Sequence, residues 1–133
     1  MARPPAPELT ERELEVMQVF WERGELSVAA AQRALNKTGR KRAYTTVGTL
    51  VRILSDKGFL EQANDERPFI FRPRRTYEDV SGKLLNGLLH RVFRGSWEQL
   101  LVRLVDEQKF SSTDRQALEE ILMRHLGKQE KRP

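Results

Sequence analysis

A mainly α fold with a small β-hairpin is predicted by three features of this chain. Apolar residues recur at helical spacing through most of its length. Capping residues stand ahead of those runs. One stretch, Phe59 to Arg72, runs apolar, then turn-forming, then apolar, the order of a hairpin. The composition shifts near Pro73 to Thr76, so residues 1–75 read as one domain and residues 76–133 as a second, helical one. At 133 residues, one ordinary domain or two small ones are allowed.

Thr10 and Glu13 have capping-box spacing, and the first helix should run to about Arg23. Leu14, Met17 and Trp21 form one side of it with Phe20 beside them, while Val16 and Val19 point elsewhere, so cover from two directions is expected. Gly24 stands where the helix end needs a left-handed residue. Ser27 then caps a short second helix to about Leu35. After the polar connection from Asn36 to Lys41, a third helix should span Tyr44 to Lys57, with Gly58 as its stop.

Phe59 to Ala63 and Phe69 to Arg72 are the hairpin strands, turned by Asn64, Asp65, Glu66 and Arg67, with Pro68 at a strand entrance. Thr76 caps a fourth helix to about Arg94. Ser96 with Gln99 opens a fifth, and Ser111 or Ser112 a sixth. Three helices followed by a hairpin, the third helix polar on its outer side, are the layout of a winged helix-turn-helix domain.

The third helix carries the most chemistry. Leu50, Val51 and Leu54 fall on one side, and Thr45, Thr49 and Arg52 on the other, at i, i+4 and i+7. Threonine is disfavoured in helix interiors because its branched side chain loses rotamer freedom. Several in one short helix point to a face chosen for contact. Short hydroxyls and an arginine suit base edges and thymine methyls in a DNA major groove. Arg40, Lys41 and Arg42, just before the helix, are placed to hold phosphates beside its N-terminal amides.

The charge agrees. The net formal charge of +5 favours a polyanionic partner, and residues 1–75 hold 14 Lys and Arg against 10 Asp and Glu, while residues 76–133 hold 10 against 9. No cysteine is present, which excludes disulfides and thiolate chemistry and fits a reducing compartment. No apolar run reaches the roughly 18 residues of a membrane helix, and no secretory signal opens the chain, so no membrane insertion is expected. His90 and His125 lie far apart, and no nucleophile-elbow, phosphate-loop or paired-His motif occurs. Neither an enzyme, a metal site nor a cofactor is expected.

The C-terminal half is read as a dimerisation domain. Val80, Leu84, Leu85, Leu88, Leu89, Val92 and Phe93 spread over more than half the circumference of the fourth helix, wider than one flanking domain can cover. Trp97, Leu101 and Leu104 on the fifth helix and Leu118, Ile121 and Leu122 on the sixth extend that surface. A homodimer is the expectation.

In LTERELEVMQVFWERGELSVAAAQRAL, YTTVGTLVRILSDKGFL and PFIFRP, the chain resembles the penicillinase-repressor and methicillin-resistance-repressor family of bacterial transcription regulators, over about residues 8 to 126. That resemblance implies an N-terminal winged-helix DNA-binding domain, a C-terminal helical dimerisation domain, and a homodimer on a pseudo-palindromic operator. It implies repression of a nearby gene, a β-lactamase or another stress or resistance gene, in the bacterial cytoplasm at the nucleoid. Tyr44, Thr45, Thr46 and Thr49 then stand near the operator, with Arg52 lower on the helix and Arg67 at the wing tip.

Three departures are visible. The cysteine cluster of copper-responsive relatives is missing. The wing reads Asn-Asp-Glu-Arg-Pro where a glycine-containing turn is commoner. Relatives under a membrane sensor protease are cut at an Asn-Phe pair in the fifth helix, and the corresponding pair here is Arg103-Leu104. A sensor protease is therefore a candidate partner without its usual cleavage pair. The competing class is a winged-helix module that docks protein rather than DNA, which an acidic outer face would favour. The hydroxyl and basic face argues against it.

Overall fold

Each helix start follows from a local signal. The computed structural model describes residues 8–130. In α1 (Glu11–Arg23) the capping box is complete: Glu13 N–H donates to Thr10 Oγ1 at 3.2 Å, and Thr10 N–H donates to Glu13 Oε1 at 3.0 Å. Two of the amide groups at this helix start thereby find partners. Gly24 takes φ 87°, a left-handed conformation that costs glycine nothing, and its N–H closes back on the Phe20 carbonyl at 2.7 Å. Ser27 Oγ accepts from Ala30 N–H at 3.1 Å at the head of α2 (Val28–Lys37). Helix α3 spans Tyr44–Asp56, and Gly58 at φ 84° turns the chain out of it.

The hairpin pairs β2 (Leu60–Gln62) with β3 (Ile70–Pro73), and a strand absent from the sequence reading joins them. It is β1 (Leu26–Ser27), and it lies antiparallel to β3 with Leu26 opposite Phe71 and Ser27 opposite Ile70. The sheet order is β1-β3-β2. Two residues show no alternation, so nothing local marks this strand; it exists because β3 has a free edge there.

The glycine-free wing tip is shaped by Asn64. Its Nδ2 donates to the carbonyls of Glu66 at 2.9 Å and Pro68 at 3.1 Å, and its Oδ1 accepts from Ile70 N–H at 2.8 Å. A side-chain amide thus replaces turn hydrogen bonds that backbone would otherwise supply.

The chain forms two compact units, the first up to Lys83 and the second from Leu84, so the division falls within α4 (Tyr77–Arg91). In the first, Val16, Met17 and Phe20 meet Ala31 and Leu35 of α2, Val47, Val51 and Leu54 of α3, and Phe59 and Leu60 of the hairpin. Leu14 and Trp21 are only half-buried, so the deepest side of α1 is that of Val16, Met17 and Phe20. Trp21 Nε1–H donates to the Arg75 carbonyl at 2.9 Å, and its ring meets Tyr77 edge-on at 5.4 Å between centroids.

In the second unit, α4 ends at Arg91, short of the expected Arg94. Arg94 and Gly95 take positive φ, and Gly95 N–H closes onto the Leu89 carbonyl at 2.9 Å, which terminates the helix. Helix α5 (Trp97–Glu107) begins at Ser96, whose Oγ accepts from Gln99 N–H at 3.2 Å. Helix α6 (Ser112–Glu130) begins with a reciprocal pair, Ser111 Oγ accepting from Asp114 N–H at 3.1 Å and Asp114 Oδ2 from Ser111 N–H at 3.0 Å. None of the described helices is long and apolar enough to cross a membrane.

Candidate nucleic-acid interface

Helix α3 is two-sided as its pattern requires. Val47, Val51 and Leu54 are fully buried, Leu50 and Thr46 half-buried, and Thr45, Thr49 and Arg52 exposed along the outer side, with Tyr44 at its start. The buried side locks the helix to α1 and α2, so the outer side is presented on a rigid support. Thr49 Oγ1–H donates to the Thr45 carbonyl at 3.0 Å. That bond uses the hydroxyl hydrogen and fixes the rotamer, leaving the oxygen lone pairs and methyl to face outward.

The N-terminus of α3 is built differently from those of α1 and α2. Its N-cap is Ala43, and no side chain caps it. Its leading amides are therefore open to an external acceptor, where the helix dipole favours an anion. Lys41 is exposed and makes no ion pair among the described residues. Its neighbours behave otherwise: Arg42 Nη2 lies 3.2 Å from Glu15 Oε2 on α1, and Arg40 Nε 3.9 Å from Glu15 Oε1. Gln32 Nε2 of α2 donates to the Arg42 carbonyl at 3.1 Å, pinning the approach to α3. Sequence reasoning missed Glu15 and Gln32, which sit in α1 and α2 among other polar residues and carry no local mark of this role.

Arg67 lies at the exposed wing tip, its guanidinium 5.5 Å from the centre of the Phe69 ring. Between the wing and the starts of α2 and α3 runs a cleft of about 650 Å³, lined by Ser27, Val28, Tyr44, Arg67 and Phe69 among others. The structure thus brings Tyr44 and Arg67 to one cleft, with Thr45, Thr49 and Arg52 continuing along α3.

The residues expected at a dimer contact fall into two groups. Val80 is buried in the core of the first unit. Leu84, Leu85, Leu88, Trp97, Leu101, Leu104, Ile121 and Leu122 are exposed, and Leu89 and Leu118 half-buried. Val92, Val102, Val105 and Met123 are exposed as well. Among the described residues from Leu84 onward, none is fully buried.

A buried hydrophobic support, an outward polar helix with an open N-terminus and an adjoining wing define a winged-helix regulator. Its sequence matches the penicillinase repressor family over residues 9–124, and the chain belongs to that family. Members are transcriptional regulators rather than enzymes. The chain is similar to the penicillinase repressor of Bacillus licheniformis, 24% identical over 122 residues that cover 92% of this chain and 94% of that one. It is also similar to the methicillin resistance regulatory protein MecI of Mammaliicoccus sciuri, 24% identical over 117 residues, 86% of this chain and 93% of the other. Among solved structures, RosR of H. salinarum shares the fold at 15% identity and a TM-score of 0.52, over 92% of this chain and 97% of that one.

Proposed function

We propose that this protein is a homodimeric, cytoplasmic transcriptional repressor that reads a pseudo-palindromic operator with one α3 per half-site. The outer face of α3 carries this reading: Thr45, Thr49 and Arg52 are exposed on a helix whose opposite side is locked in the core. Arg52 supplies a donor fork for a guanine edge, and the threonines supply short hydroxyls and methyls. Lys41 and the uncapped α3 amides hold the backbone of the same half-site, and Arg67 reaches along it from the wing. Membership of a family of repressors supports the same reading.

The dimer rests on the second unit. Leucines left exposed on α4, α5 and α6 beside no buried residue make a domain without an interior of its own. A partner of the same sequence supplies the missing cover. The gene controlled is a β-lactamase or another resistance or stress gene.

Gel retardation on sheared genomic DNA of the source organism, followed by footprinting of the retained fragments, tests the proposal. The expected footprints are pseudo-palindromes whose half-sites lie about one helical turn, or a multiple, apart. Absence of retardation even at low salt refutes DNA binding.

A further inference from the structure

We infer that Glu15 is a positioning residue that withholds Arg42, and more loosely Arg40, from the DNA backbone, and so limits how tightly the protein holds DNA of any sequence. The inference rests on the DNA-binding reading above. Before α3 the chain carries three consecutive cations, yet Arg42 turns back to Glu15 on α1 at 3.2 Å, and Arg40, its side chain 53% exposed, lies 3.9 Å from the same carboxylate. The Glu15 side chain is only 10% exposed, so its pairing with Arg42 is less screened than a surface contact. Arg42 is held twice, through its guanidinium by α1 and through its backbone carbonyl by α2.

Stability alone does not account for this arrangement. Arg42 Nε is buried and meets no acceptor among the described residues, so the ion pair does not use every donor of this guanidinium. An arginine at this position left in solvent would satisfy all its donors with water. What the inward pose changes is the surface charge beside the open α3 N-terminus. Only Lys41 of the three then extends without an ion pair.

Affinity for arbitrary DNA comes almost wholly from phosphate neutralisation, whereas operator affinity also draws on base contacts. The phosphate share is common to both, so withholding cations lowers affinity for operator and for random DNA by a similar factor and flattens the salt dependence of both.

The test measures binding of the full-length protein to operator and to random duplexes across a salt series, with folding checked by circular dichroism. Glu15→Gln should steepen the log K against log salt slope on random DNA by about one to two, since each added phosphate contributes roughly 0.9. Affinity for both duplexes should rise by a similar factor at low salt, because the added phosphate contacts are available on either one. The triple variant Glu15→Gln, Arg40→Gln, Arg42→Gln should return the slope to that of the parent. Glu11→Gln, which removes the same charge from α1 without touching either arginine, should leave the slope unchanged.

An unchanged slope in folded Glu15→Gln overturns the inference, as does a steepened slope that persists in the triple variant. Arg42→Gln in the otherwise unmodified protein gives an arm independent of how Glu15→Gln folds. It should leave the slope at the parent value, and a loss of about one overturns the inference because Arg42 would already be on a phosphate. If the parent binds neither duplex, the DNA-binding reading itself has failed, which is a different outcome from any of these.

Discussion

Lys57 Nζ lies 2.8 Å from Glu13 Oε1 and 3.1 Å from Oε2, joining the end of α3 to the first turn of α1. The same ammonium donates to the Glu8 carbonyl at 2.9 Å. Glu13 is 3% exposed and also accepts from Thr10 N–H, so one carboxylate both caps α1 and ties down the helix proposed to read DNA. Burial opposes its ionisation most strongly, but the Lys57 hydrogen bond, the Thr10 amide and the Lys57 charge together hold its carboxyl below the ordinary value of 4.5.

Glu13→Ala should therefore destabilise the first unit by about 2–3 kcal/mol, combining loss of the cap with a cation left without its partner. The pH dependence follows from the sign of the shift. A carboxyl whose folded pKa lies below its unfolded one contributes fully above the unfolded value and loses that contribution as pH falls through the folded value. Urea midpoints of the parent and Glu13→Gln should differ at neutral pH and converge as the pH falls through the lowered folded pKa of Glu13. A difference independent of pH would show that the ionised pair does not stabilise the fold.

Trp21→Phe keeps the apolar body of the side chain and removes the 2.9 Å bond to the Arg75 carbonyl. The expected loss is about 1 kcal/mol, including the cost of a half-buried carbonyl left without its donor. Thermal melting reads it directly. An unchanged melting temperature would mean that water replaces the indole donor at no cost.

Thr49→Ala and Arg52→Ala should each reduce operator affinity by roughly 1–3 kcal/mol while leaving random DNA nearly unaffected. Lys41→Ala should weaken both and flatten the salt slope by about one. If Thr49→Ala and Arg52→Ala bind operator as the parent does, α3 is not the reading element.

Leu88, on α4, lines an apolar groove of about 310 Å³ with Leu85, Phe93, Leu100 and Leu104, and is 45% exposed. Covering a leucine side chain is worth roughly 1.5–3 kcal/mol, so Leu88→Asp should shift the monomer–dimer equilibrium strongly toward monomer. Operator affinity should fall with it, because two linked half-sites gain avidity that one protomer lacks. Sedimentation of the unmodified protein as a stable monomer at micromolar concentration would refute the dimer.

Local chain chemistry sets where most of the helices begin and which side of α3 is buried. Thr10, Ser27, Thr76, Ser96 and Ser111 each announce a helix through a bond to a residue three places on, and that is a local matter. Val47, Val51 and Leu54 mark the inner side of α3 by spacing alone. What the charged and edge residues do depends instead on long-range contacts. Arg42 meets a carboxylate 27 residues away, Lys57 one 44 residues away, and Trp21 a carbonyl 54 residues away. Strand β1 forms only because β3 offers an edge, and Val80 is drawn into the first unit's core while its neighbours along α4 stay outside. Caps and periodicity are legible because both partners lie within one or two turns of chain. An ion pair, a two-residue strand or the inward turn of an arginine depends on which distant groups the fold brings within about 4 Å, and no local pattern carries that information.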